Sequence, residues 1–292
     1  MVEVFKKRSF GLSGFISVLL LILIIGLLAF KTRNDQWNVW KLNKNITFYE
    51  NSPLLSTADG PYFIGLAKKI SEGETIHSFN EKRFFPENFK GTEIKNTQKE
   101  PSKFEISLLP IIISYFSKFF DDDFLLTSNI LIPVAAFFTA ISISFLFLSL
   151  GFGYEGTIAG LGASLSQSIY VRTSIGRVDT DLLNIGFFYL ILSLIFSSIK
   201  INNHINKLIF ISLAGITNFC FIWWYQRPGF FIVFLFSLII LQIFYKKNLR
   251  ESLLQIFIFS LFSGPYYVFG SFDNIINYIN VYLNFSVSET HD

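Results

Sequence analysis

An all-α polytopic membrane protein is the fold class predicted by this sequence, on three observations. Of its 292 residues, 51% are hydrophobic and only 15% are charged, with a mean hydropathy of +0.49, far from the mixture of a soluble globular chain. Apolar runs long enough to cross a bilayer, roughly 17–25 residues each, recur along its length. Lys and Arg gather in short clusters between those runs, so the net charge of +3 and pI of about 8.8 reflect membrane topology. The same distribution excludes nucleic acid as a partner. Cys220, the only cysteine, lies in an apolar run, which excludes an intrachain disulfide and a Cys-rich metal site.

The first run, residues 11–30, follows Lys6, Lys7 and Arg8 and ends in "KTRND" with no small-residue cleavage site. It reads as an uncleaved span with a cytoplasmic N-terminus, which places a long loop, 31–123, outside. Later spans are expected near 124–150, 156–173, 182–199, 208–224, 229–245 and 252–270, making seven with the first. Parity then puts the basic loops "KINNHINK" (200–207) and "KKNLRE" (246–251) inside, as the positive-inside rule demands. The run 104–120 is short, holds Pro110 and Lys118 and ends in Asp121 to Asp123; as a full span it would invert that parity, so it is expected to lie along the outer interface as an amphipathic helix. Residues 79–102 are polar, hold Pro86, Gly91 and Pro101 and show no clear period, as in a loop insert.

Three external segments carry acids close to predicted span ends: "STADGPYF" around Asp59, "GRVDTDLL" around Asp179 and Asp181, and "SVSETHD" around Glu289. Asp-x-Asp carboxylates project to one side of an extended segment, where two oxygens can converge on a hard ion such as Mg²⁺ or Mn²⁺. Acids also mark solvated helix N-termini, a bland reading that spacing alone leaves open. Gly156, Gly160, Ser164 and Ser168 recur every fourth residue, the small-residue stripe that lets membrane helices approach closely, and Arg172 and Gly176 continue it. That face is expected to point into the bundle, putting Arg172 at a protein-lined mouth where it can meet a carboxylate or phosphate. His77, His204 and His291 show no ligand spacing and read as surface residues. Asn45-Ile46-Thr47 and Asn284-Phe285-Ser286 have the form of glycosylation acceptor triplets, which arise often by chance in an Asn-rich chain.

The segment "YVRTSIGRVDTDLL" (170–183) resembles the second external loop of the catalytic subunit of oligosaccharyltransferase, through Tyr170, Arg172, Thr173, Gly176, Asp179, Thr180, Asp181 and Leu182. "LLSTADGPYFIGLAKKI" (54–70) is similar to the first external loop of that family and maps its essential acid onto Asp59. "FIWWYQRPGF" (221–230) is similar to a Trp-Trp-Tyr at the outer end of a mid-chain span, and "SVSE" (286–289) has the sequence of the family's mobile-loop motif, which maps its Glu onto Glu289. In two respects the chain departs from the family. Two further spans normally precede that Glu, and the soluble domain bearing Trp-Trp-Asp-Tyr-Gly, which reads the acceptor Ser or Thr, does not occur before the chain stops at Asp292.

The resemblance implies a bundle of the GT-C glycosyltransferase type with a long first external loop, represented by its N-terminal membrane part. It implies transfer of an oligosaccharide from a lipid-linked polyprenyl diphosphate to Asn in an Asn-x-Ser/Thr polypeptide, at a divalent cation (Mg²⁺ or Mn²⁺) held by Asp59, Asp179, Asp181 and Glu289, with Arg172 orienting the carboxylates or meeting the donor. A truncated chain, or one whose missing domain comes from a partner, is the matching expectation, as is a bacterial plasma membrane with the acids on the periplasmic side. Rival readings are another polyprenyl-phosphate-dependent GT-C glycosyltransferase, an inactive remnant, and a transporter. The Arg-Thr-(x)5-Asp-Thr-Asp arrangement argues against the first. A transporter would ordinarily bury ionisable residues at mid-membrane, where the later spans show none except Arg172 at an outer end.

Overall fold

A computed structural model describes residues 12–49, 52–73, 106–245 and 247–264. The elements are α1 (Leu12–Leu42), α2 (Lys44–Thr47), a two-residue antiparallel pair β1 (Phe48–Tyr49) and β2 (Ser52–Pro53), α3 (Gly60–Ser71), α4 (Leu108–Ser117), α5 (Phe124–Leu150), α6 (Gly153–Leu165), α7 (Gln167–Arg172), α8 (Asp181–Lys200), α9 (His204–Tyr225), α10 (Gly229–Phe244) and α11 (Leu249–Phe262). Among the described residues, four helices are long and apolar enough to cross a membrane: α1, α5, α8 and α9. The chain is an all-α membrane protein.

α5 is the central helix and packs against α1, α6 and α8. The Asp123 carboxylate caps its start by accepting from the Leu126 amide at 2.8 Å, and Gly151 ends it at φ +102°, a left-handed conformation that costs glycine little. Its buried face is rich in small and hydroxyl-bearing residues, among them Ala135, Ala136, Thr139, Ala140 and Ser144. Such side chains let backbones approach where lipid offers no hydrophobic force between helices. α6 uses that face: a Cβ at Gly156 would lie 2.7 Å from the Phe147 Cβ. α8, α9 and α10 close the other half of the bundle around Ile191, Ile195, Ile211, Phe221 and Phe234, with the Phe221 ring 4.7 Å from Phe230 and 5.7 Å from Phe187.

Two ends of the bundle differ in chemistry. At one, the loops 200–207 and 246–251 meet through an ion pair between Lys207 and Glu251 at 2.5 Å, and Lys200 donates to the Ser149 carbonyl at 2.9 Å. The other end gathers the C-terminal part of α1, the 54–60 segment, Ile106 and Ser107, the 173–181 segment and Trp224. α4 begins at this acid-bearing end, where Ser107 donates to the Trp224 carbonyl at 2.8 Å, and it packs on α3.

Three elements differ from the spans read in the sequence. The first helix does not stop at residue 30; it runs to Leu42, about 46 Å at 1.5 Å per residue, so its last turns outrun a bilayer core of about 30 Å. The 156–173 run is broken at Ser166 (φ −61°, ψ 138°) into α6 and α7, so the four-residue stripe holds for Gly156, Gly160 and Ser164 and then loses register, leaving Ser168 exposed. α10 spans 16 residues and α11 has 14, with the run to residue 270 lying partly outside the described residues.

Candidate functional site at the acid-bearing end

The 173–180 segment is not helical, so its backbone polar groups need partners from elsewhere. α1 supplies several from one face. Arg33 donates to the Thr173 carbonyl and hydroxyl, and the Gln36 side chain accepts from the Ile175 amide at 3.0 Å. The Asn129 side chain of α5 accepts from the Gly176 amide at 2.8 Å. Gly176 itself sits at φ +81°, and a Cβ there would be 2.5 Å from the Trp40 ring and 2.9 Å from the Leu54 carbonyl, so only glycine fits. Trp224, two per cent exposed, donates its indole N–H to the Thr180 carbonyl at 2.5 Å. Ile175, Val178 and Leu182 face down into the core beside Trp37, Phe63 and Trp224.

The segment bearing Asp59 runs against this turn. The Ser56 amide donates to the Gly176 carbonyl at 2.8 Å and the Thr57 hydroxyl to the Val178 carbonyl at 3.3 Å. Asp59 occupies the N-cap position of α3, yet its carboxylate makes no capping hydrogen bond and is exposed. Asp179 accepts from the Thr180 hydroxyl at 3.4 Å. Asp181 opens α8, where the helix dipole favours a negative charge. Its carboxylate is engaged on both oxygens: Arg172 pairs with Oδ2, Arg177 approaches the same oxygen at 3.9 Å, and Asn184 donates to Oδ1 at 3.1 Å. Two of this group's buried atoms, Arg177 Nε and Asn184 Oδ1, have no hydrogen-bond partner among the described residues. Arg172 does not face into the bundle as its stripe position implied, because the break at Ser166 rotates it outward; its side chain is about half exposed at 48% and is held by Asp181 instead.

Glu289 lies outside the described residues, as do His77, His291, Asn284 and the 79–102 insert. Among the described residues, no group of three or more His, Cys, Asp or Glu gathers to hold a metal. A hard divalent cation takes oxygen donors and is often held by one or two carboxylates plus a substrate phosphate. The Asp59 and Asp179 carboxylates and the orphaned Asn184 carbonyl fit that chemistry, whereas Asp181 is already spent on two arginines and an amide. A separate cavity of about 610 Å³, lined by Lys68, Ser71, Glu72, Lys118, Asp122 and Phe124, contains none of these acids.

Arg33, Gln36, Asn129 and Asn184 are neighbours of the candidate site that sequence reasoning missed. The signal for the first two was present: Arg33, Gln36, Trp37 and Trp40 continue the helical period of the first apolar run, with no Gly or Pro to end it before Leu42. Asn129 carried no local signal, since it acts on a distant turn from another helix, whereas Asn184 stands one helical turn after Asp181 on α8 and that spacing was its signal. The chain matches no protein-family model, and no curated protein matches it.

Proposed function

We propose that this chain is the membrane part of an oligosaccharyltransferase-like enzyme of GT-C architecture, with the 54–60 and 173–181 segments facing the outside of a bacterial plasma membrane. The observation that carries the reading is the stitching of those two segments, which brings two separately recognised motifs, one bearing Asp59 and one bearing Asp179, to adjoining backbone. Support also comes from Asp59 leaving its own helix uncapped, because a carboxylate held for structure alone would normally bond the first-turn amides.

In the proposed reaction the Asn side-chain nitrogen attacks the anomeric carbon of the lipid-linked oligosaccharide. A C–N bond forms, the C–O bond to the diphosphate breaks with its electron pair leaving on the polyprenyl diphosphate, and the nitrogen loses one proton, which passes to the departing diphosphate oxygen. Asp59 and Glu289 would accept hydrogen bonds from the acceptor amide N–H groups and free the nitrogen lone pair from conjugation. Asp181 holds Arg172 and Arg177, a positive edge suited to the anionic donor. A Mg²⁺ or Mn²⁺ ion held by Asp59 and Asp179, with Glu289, would supply charge neutralisation of the leaving group. An acceptor polypeptide, the lipid-linked donor, and a domain that reads the acceptor Ser or Thr, on this or a partner chain, are the partners implied.

The test is transfer of a glycan from a polyprenyl-diphosphate carrier to a fluorescent Asn-x-Thr peptide, in membranes that hold the native protein. Asp59→Ala and Asp179→Ala should each lower the rate by roughly 100-fold or more, the size expected when a group that stabilises the transition state is removed. Transfer at the wild-type rate in either variant would sink the assignment.

A further inference from the structure

Arg33 is completely buried, and no carboxylate pairs with it among the described residues. The nearest acid along its helix, Asp35, pairs with Lys31 at 2.5 Å. A buried guanidinium without a counter-charge would cost several kcal/mol, so something else must compensate it. Its hydrogen bonds identify what. One terminal nitrogen donates to the Ser164 carbonyl at 3.1 Å and to the Thr173 hydroxyl at 2.8 Å, and Nε donates to the Thr173 carbonyl and hydroxyl, each at 3.1 Å. The other terminal nitrogen donates to the Thr32 hydroxyl at 2.9 Å. Tyr170 presents its ring face 4.0 Å from the guanidinium carbon.

Ser164 stands in the last turn of α6, and Thr173 is the residue that ends α7. Both carbonyls belong to helix C-termini, which leave carbonyls without intrahelical partners and carry partial negative charge, up to about half an elementary charge for a full helix. Two such ends, with the Tyr170 ring, compensate one guanidinium. The break at Ser166 frees the Ser164 carbonyl and the end of α7 frees that of Thr173, and Arg33 of α1 donates to both.

We propose that Arg33 is a positioning residue: it bridges the two helix ends across the Ser166 break and thereby sets where Thr173, and the acid-bearing turn that follows it, stand. Thr173 is flanked by Arg172, which pairs with Asp181, and by the peptide that Gln36 and Asn129 hold at Ile175 and Gly176. Losing the bridge leaves the start of the turn attached only downstream. Lysine keeps the charge but presents a point rather than a planar fork, so it cannot serve Ser164 and Thr173 together in this geometry.

The geometry is tested apart from any reaction. In the full chain with Cys220→Ala, spin labels replace Val171, exposed on α7, and Asn202, exposed at the opposite end of the bundle, and their distance distribution is measured. A single narrow distribution should broaden in Arg33→Gln, and less so in Arg33→Lys. Thr173→Val, which removes the hydroxyl that accepts two of the bonds while keeping the side chain's shape, should broaden it as well and carries the test if Arg33→Gln fails to fold. Unchanged distributions in the variants that fold would overturn the proposal. The bearing on catalysis rests on the oligosaccharyltransferase reading: there, Arg33→Lys should lower kcat by about 10-fold at unchanged donor KM, as for partners that orient ligating groups. Absence of transfer by the wild-type protein would overturn that reading while the distances still decide the positioning role.

Discussion

Gly176 shows how much one residue decides at this site. Its φ of +81° and the 2.5 Å approach to Trp40 act together, so Gly176→Ala should strain the backbone and push the tryptophan off the turn, costing about 2–4 kcal/mol. Thermal unfolding in detergent checks this, with Gly162→Ala as the control. Gly162 lies within α6 with nothing near its Cβ position, and alanine there should leave stability unchanged or raise it by up to about 1 kcal/mol. Equal melting temperatures for the two variants would mean that the turn is not held against α1. Individual residues of the site were legible to different degrees. Asp59, Asp179 and Asp181 stood out because acids are rare in a greasy chain, and a carboxylate partner for Arg172 was expected, yet that Asp181 is that partner and is also engaged by Arg177 and Asn184 was not readable from rarity alone. Arg177 is four residues away, and Arg172 reaches it only because the chain turns back on itself.

Among the helices, α11 is joined to α9 and to α10 by polar contacts along otherwise apolar faces. Lys207 and Glu251 pair at the basic end, Gln255 and Gln242 of α10 hydrogen-bond at 3.1 Å in the interior, and Asn218 donates to Ser263 at 3.2 Å further along. Gly215 lets the helices close, since a Cβ there would be 2.8 Å from the Phe259 carbonyl. The hydrogen bond from Lys207 is the main cause holding the Glu251 carboxyl below its ordinary value of about 4.5; the positive charges of Lys207, Lys247 and His204 add to it, against burial that raises it. A depressed carboxylate stabilises the folded state in full above its unfolded pKa, and that part is lost as pH falls through the lower folded value. The melting temperature of the wild-type protein should therefore fall on acidification below about pH 4.5, and Glu251→Gln should remove part of that dependence while lowering stability at pH 7. Identical pH profiles would show that the pair contributes nothing to docking α11. Composition alone announced that these helices exist. It did not announce the break at Ser166, because the stripe of small residues runs through it uninterrupted and the Arg33 side chain that satisfies the freed Ser164 carbonyl sits on another helix.

For the whole molecule, the arrangement is one of two unlike ends. Helices α5, α8 and α10 run from the acid-bearing end to the basic end, and α9 and α11 run back, so the chain alternates as the charge pattern of its loops requires. That alternation was the most legible property of the sequence, since it depends only on where Lys and Arg cluster between apolar runs. Length was less legible: of the seven expected spans, four correspond to described helices that meet the length and hydropathy of a crossing. α10 and α11 are shorter, and the 156–173 run is divided between α6 and α7. The two ends make a prediction that needs no knowledge of the reaction. In a Cys220→Ala background, cysteine at Ser56, exposed beside the Asp59 segment, should react with a membrane-impermeant maleimide in intact cells, whereas cysteine at Asn202, exposed between α8 and α9, should react only after the membrane is opened. The reverse pattern would place the acids inside, where an externally presented lipid-linked donor could not meet them. Labelling of both without opening the membrane would mean that the two ends do not lie on opposite faces, and the membrane-spanning arrangement of α5, α8 and α9 would fall with it.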